Sequence, residues 1–141
     1  MAFMNFKNSF LRARIENCSE KRGVKYSNYE LSLDKEKLTY ISLKPKLLNL
    51  GDELALFRKE NKIVLFRNLS KNLNNFKEAR IKSSLLLFIS LCAFLCFLFL
   101  FFYNNFLEID LFFLCIFSLF LVLFIINHIV LLKQIKRLER L

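Results

Sequence analysis

Two apolar runs limit what this chain can fold into. Residues 85–103 and 111–132 are stretches of 19 and 22 residues without a Lys, Arg, Asp or Glu. As helices they would be roughly 28 and 33 Å long, enough to cross a hydrocarbon core of about 30 Å. One unbroken helix over both would be about 70 Å long, more than twice what a bilayer covers. The link between them, residues 104–110, contains Asn104, Asn105, Glu108 and Asp110. An acid at the centre of a membrane helix costs about 2.5–3.5 kcal/mol on insertion scales. The link is therefore expected to be a turn at the far membrane face, with the two helices antiparallel on either side of it.

Charge placement predicts the orientation. The turn has no Lys or Arg, whereas Lys77, Arg80 and Lys82 precede the first run, and Lys133, Lys136, Arg137 and Arg140 follow the second. The positive-inside rule then puts both termini in the cytoplasm of a bacterial cell and the turn outside. Those seven basic residues are expected to meet the lipid headgroups of the inner leaflet. The N-terminus sustains no apolar h-region, so no cleavable signal is expected there, and the first run would serve as the export signal.

The runs are not uniform. On a helical wheel Cys115, Ser118, Val122, Ile126 and Ile129 form one stripe of the second run, and the phenylalanines cluster opposite. Cys92, Ala93 and Cys96 make a shorter small-residue patch in the first. Small residues let helix backbones approach, so these two stripes are expected to face each other. Asn127 and His128 lie off the stripe, near the cytoplasmic end. They are candidate contacts to a membrane partner or a second copy, unless they snorkel to the headgroups.

The remainder predicts a small cytoplasmic α+β unit. Residues 1–22 read as a basic amphipathic segment, with Phe3, Phe6, Phe10, Leu11 and Ile15 on one helical face. Residues 23–68 read as two β-hairpins. In the first, Tyr29, Leu31 and Leu33 alternate with polar residues before a charged turn at residues 34–37, and Pro45 ends the returning strand. In the second, residues 54–57 and 63–66 are apolar on both faces, which calls for a cover on each side. Leu69, Leu73 and Phe76 have helical spacing, so residues 69–84 are expected to form a juxtamembrane helix. The basic tail, residues 133–141, carries a matching line of Leu131, Ile135, Leu138 and Leu141, and is expected to zip against that helix.

Little in the sequence carries chemistry. The two glycines, Gly23 and Gly51, are too far apart to cradle a phosphate, and His128 is the single histidine. The cysteines, Cys18, Cys92, Cys96 and Cys115, lack zinc-ligand or redox spacing, and three of them lie in the apolar runs as small apolar residues. No enzyme, no metal and no cofactor is expected. Net charge is +10, yet topology accounts for basic residues beside the membrane, and the aromatics do not alternate with basic residues as a nucleic-acid platform needs. A nucleic-acid partner is not expected.

The fold class is thus a membrane α-helical hairpin of two spans, both termini in, with a small N-terminal cytoplasmic α+β unit containing two β-hairpins. The expected role is non-enzymatic: an accessory, scaffold or assembly subunit of an inner-membrane complex. Its partners would be membrane lipids and other membrane subunits or further copies. The alternative is a homo-oligomeric effector that forms pores or disrupts the bilayer under control of the cytoplasmic unit.

Overall fold

The computed structural model describes residues 9–23, 27–42, 48–103 and 108–141. Its strands are β1 (Ser9–Arg22), β2 (Ser27–Leu33), β3 (Glu36–Ser42), β4 (Glu53–Lys59), β5 (Lys62–Asn68) and β6 (Leu73–Asn74), followed by helices α1 (Phe76–Tyr103) and α2 (Glu108–Glu139). The chain divides into two compact units. One joins Lys7–Ala79 to Lys133–Leu141, and the other contains Arg80–Leu132.

The first unit is a closed β-barrel. Two hairpins form where alternation predicts them. In β2 the odd positions Tyr29, Leu31 and Leu33 are buried while Asn28 and Glu30 are exposed. Asp34 and Lys35, both with positive φ (48° and 66°), make the tight turn into β3, as in a type I′ hairpin. The second hairpin turns at Glu60 and Asn61, between β4 and β5.

Strand β1 joins the two hairpins into one sheet. Residues 9–22 are a strand and not an amphipathic helix; residues 1–8 lie outside the described residues. The cause is a period of two. Leu11, Ala13 and Ile15 turn inward, while Arg12 and Arg14 are exposed between them. Arg12 and Arg14 are the outward half of a strand. A bulge between Ile15 and Asn17 then bends β1, so that Ser9–Arg14 pair with β4 and Asn17–Arg22 pair with β2. The backbone of Ile15 is held across from the bulge by Gly51 and Asp52, at 2.9 Å each way, and Gly51 takes φ +85° to make that turn.

The order β3-β2-β1-β4-β5 closes on itself through a parallel β3–β5 contact at Thr39 and Lys62. This is the strand connectivity of an OB-type Greek-key barrel, a statement of topology and not of activity. Ile15, Tyr29, Leu31, Leu33, Leu38, Tyr40, Leu54, Leu56, Ile63 and Phe66 fill the interior.

Residues 69–75 form a turn and the short β6, so the expected juxtamembrane helix is absent there, and α1 begins at Phe76. Asn75 is the reason. Its side chain accepts from the Phe66 amide (2.9 Å) and donates to the Val64 carbonyl (3.0 Å), extending the edge of β5 instead of continuing a helix.

In the second unit α1 and α2 are long and apolar enough to cross a membrane. Only 6% and 11% of their most apolar windows are buried within the chain, which leaves a large apolar surface exposed. Tyr103 ends α1 and Glu108 opens α2, where a negative charge suits the helix dipole. Residues 104–107 of the expected turn, and Pro45, lie outside the described residues.

Candidate functional site

The most built feature of the barrel unit is the outer face of β1, β4 and β5. Strands β4 and β5 are apolar on both sides, and both sides are covered. Leu54, Leu56, Ile63 and Phe66 face the barrel interior. Ala55, Phe57 and Leu65, at 0%, 5% and 0% exposure, are equally buried but stand outside that core. The last turns of α2 pack on this face. The Arg137 guanidinium lies 4.5 Å from the Phe10 ring centre and 5.8 Å from that of Phe57, and the two rings meet edge-on at 5.5 Å. Arg67 donates to the carbonyls of Leu138 (3.0 Å) and Glu139 (2.9 Å), in the last turn of the helix, where backbone carbonyls run out of helical donors. Ile135 and Leu138 are both 0% exposed. The tail therefore packs on the barrel, a cover that the sequence did not suggest.

Next to the β1 bulge lies a buried polar knot. Asp52 Oδ2 accepts from Asn68 Nδ2 (2.7 Å), Lys71 Nζ (2.9 Å) and the Asn49 amide (3.0 Å). Asn68, fully buried, uses its Oδ1 to accept from the amides of Ser70 and Lys71. Burial pushes the Asp52 carboxyl up, but the bonds from Lys71, Asn68 and Asn49 together outweigh it and hold the group below its ordinary range.

The barrel's closing seam is joined mostly by side chains. Thr39 donates from its amide (2.7 Å) and hydroxyl (3.2 Å) to the Asn61 carbonyl. The Arg58 guanidinium forks onto the Glu36 carboxylate and donates to Ser9 Oγ. Tyr40 meets Phe66 edge-on at 5.0 Å, and its buried phenol is pushed up to about 12, first by desolvation and then by Glu78.

Among the described residues no three His, Cys, Asp or Glu gather as a metal site. A shallow depression on the β1–β3 surface is lined by Asn17, Ser19, Glu30, Ser32, Lys37 and Thr39 among others. Tyr29 and Tyr40 of these strands are inside, where no base can stack on them. Burial also raises the Cys18 thiol, which makes it a poorer nucleophile.

In the helical unit the residues that meet are not those the small-residue argument selects. Cys92, Cys96, Cys115, Val122, Ile126 and Ile129 are exposed, and Ala93 and Ser118 are half-buried. Contact between the helices runs along the other side. Phe97 stacks on Phe113 (5.4 Å) and Phe117 (4.5 Å), and Ser83 Oγ lies 2.9 Å from His128 Nδ1. Asn127 is buried at 3% exposure, as are Ser83 and Ser90 at 8% and 6%. The polar groups choose the face: in hydrocarbon a hydroxyl, amide or imidazole gains most by turning away from lipid. Ser118 needs no such turn, because its hydroxyl donates back to the Cys115 carbonyl at 2.7 Å. Asn127 is thus buried within the chain itself, and half-buried His128 is held by Ser83.

Ser83→Ala and His128→Leu in a double-mutant cycle should couple by about 0.6 kcal/mol, and by no more than about 1.7. Thermal melting of the helices in detergent reads this directly, and strictly additive effects would remove the bond from the account.

Lys77, Arg80, Lys82, Lys133, Lys136, Arg137 and Arg140 are all exposed. Arg137 is also tied to the Phe10 and Phe57 rings. Sequence reasoning missed Arg67, Asn75, Asp52 and Asn68 as organising residues. The signal available for Asp52 was its place after Gly51 in a turn, and for Asn75 the Asn-Asn pair ahead of an apolar helix. Searches for related proteins add no identity: no family model, no curated protein and no solved structure matches this chain.

Proposed function

We propose that this chain is a two-pass inner-membrane protein that acts without catalysis, as an accessory, scaffold or assembly subunit holding a small barrel at the cytoplasmic membrane surface. The observation that carries this reading is the character of the hairpin. Its exposed side chains are Leu, Ile, Phe and Cys at most positions, including Leu85, Phe88, Leu95, Phe99, Phe112, Leu119 and Ile126, while Ser83, Ser90 and Asn127 are buried. Such a surface suits lipid or other apolar helices. A pore needs the reverse, a polar face left available to water, so the effector alternative loses its main support.

Two further observations support the topology. The barrel precedes both helices and its tail cover follows both, so a direct barrel–tail contact favours two crossings with both ends on one side. The basic residues at these ends favour the cytoplasm as that side. The tail also covers the outer β4–β5 face, so no partner is needed to fill it. The barrel's free outer surfaces and the lipid-facing helix sides remain for partners.

Native mass spectrometry after gentle solubilisation tests the role. The expected result is the chain bound to other membrane subunits. A monodisperse monomer would overturn the scaffold reading, and a large ring of identical copies would return the pore alternative. A tag inserted at Asn105 should be labelled from outside intact cells.

A further inference from the structure

The barrel's outer apolar face is completed by a piece of chain made after both membrane helices. Ala55, Phe57 and Leu65 are buried on that face, and the segment over them is Lys133–Leu141. Before this segment arrives the strip is open to water, and the tail's Ile135 and Leu138, both fully buried in the finished unit, have no place to go. The attachment is specific as well as apolar. Arg67 binds the Leu138 and Glu139 carbonyls while its other nitrogen donates to Asn72 Oδ1 (3.2 Å), so one side chain ties the β5–β6 turn to the end of α2. Arg137 lies across Phe10 and Phe57, which belong to β1 and β4. The tail thus contacts all three strands that form the face.

We propose that Lys133–Leu141 is an intramolecular closing ligand that makes stable folding of the barrel conditional on correct insertion of the hairpin. This rests on the reading above that both apolar runs cross the membrane. A chain whose second helix fails to return would leave the tail on the wrong side of the bilayer. The barrel would then expose Ala55, Phe57 and Leu65, the kind of apolar strip that chaperones and proteases recognise. A correctly inserted chain delivers the tail at the high local concentration of a tethered ligand. The barrel would therefore report on the topology of its own anchor.

The test is limited proteolysis of full-length chain and variants in native membranes, with an antibody to the barrel as readout. Ending the chain after Leu132 keeps both apolar runs, and Leu138→Asp keeps the tail but spoils its apolar side. Both should remain membrane-embedded to alkali extraction, and both should be cleaved within the barrel at least about tenfold faster than the parent. Lys136→Ala, an exposed tail position, should match the parent. Parent-like resistance of the truncated and Leu138→Asp chains would overturn the proposal while leaving the membrane topology intact. A third variant lacking residues 111–132 but retaining the tail should be as sensitive as the truncated chain, because one crossing puts the tail on the far side. If it resists instead, the tail reaches the barrel without a second crossing, and the membrane reading falls together with the gate.

Discussion

Asp52→Ala should cost the barrel about 3 kcal/mol, the scale of breaking a buried pair by removing one partner. The carboxylate accepts three hydrogen bonds, and its loss removes an acceptor from the Asn68 amide, which is fully buried, and the anion that faces the Lys71 ammonium. The damage would spread, because the Asp52 carbonyl also accepts the Ile15 amide beside the β1 bulge. The same group confers a pH dependence. Its folded pKa lies below the unfolded one, so its contribution is complete above the unfolded value of about 3.9 and is lost as pH falls through the folded value. Urea titrations in detergent, followed through Tyr29 and Tyr40 in a chain without Trp, measure both effects. Parent stability should drop below about pH 4, and Asp52→Asn should flatten that drop. An Asp52→Ala chain within about 0.5 kcal/mol of the parent would mean the knot contributes nothing.

Phe66→Ala should cost about 3–5 kcal/mol, the range for deleting a buried aromatic ring. Phe66 is fully buried and stands against Tyr40 across the closing seam. Backbone pairing there amounts to one parallel ladder position, Thr39 with Lys62, so side-chain packing must do most of the closing. The expected signature is therefore local as well as global. Hydrogen exchange should accelerate first at Thr39 and along β3, and the near-UV signal of Tyr40 should weaken. Leu50→Ala, at a side chain 69% exposed, should change stability by less than about 0.5 kcal/mol. Equal losses at both positions would contradict the seam.

Both hairpins were legible because their information is local. A period of two in Tyr29, Leu31 and Leu33, and a pair of residues able to take positive φ at 34 and 35, need nothing beyond neighbouring residues to act. The double-faced burial of β4 and β5 could be read for the same reason, since runs without polar residues cannot face water. What covers the second face could not be read, because the answer lies about 70 residues along the chain, past both apolar runs: the bonds from Arg67 to Leu138 and Glu139 span sequence separations of 71 and 72. The N-terminal segment was misread where two periods coexist. Phe3, Phe6 and Phe10 suit a helix, while Leu11, Ala13 and Ile15 suit a strand, and the choice belongs to β2 and β4, which supply the hydrogen bonds.

The helical unit divides in the same way. Apolar run length and the placement of acids and bases are properties of the chain as written, and they suffice to mark two helices able to cross a bilayer. Which side of each helix meets the other is a contest between close backbone packing and the burial of a few polar groups. Composition lists both contestants without weighing them. Three-dimensional placement weighs them: Ser83 reaches His128, Phe97 reaches Phe113 and Phe117, and most of the small-residue stripe is left exposed. Local periodicity and run length thus settle the two hairpins and the two long helices, since their energetics involve near neighbours. Barrel closure, the tail's docking and the helix faces belong to the assembled fold, since each depends on groups that only folding brings within a few ångströms.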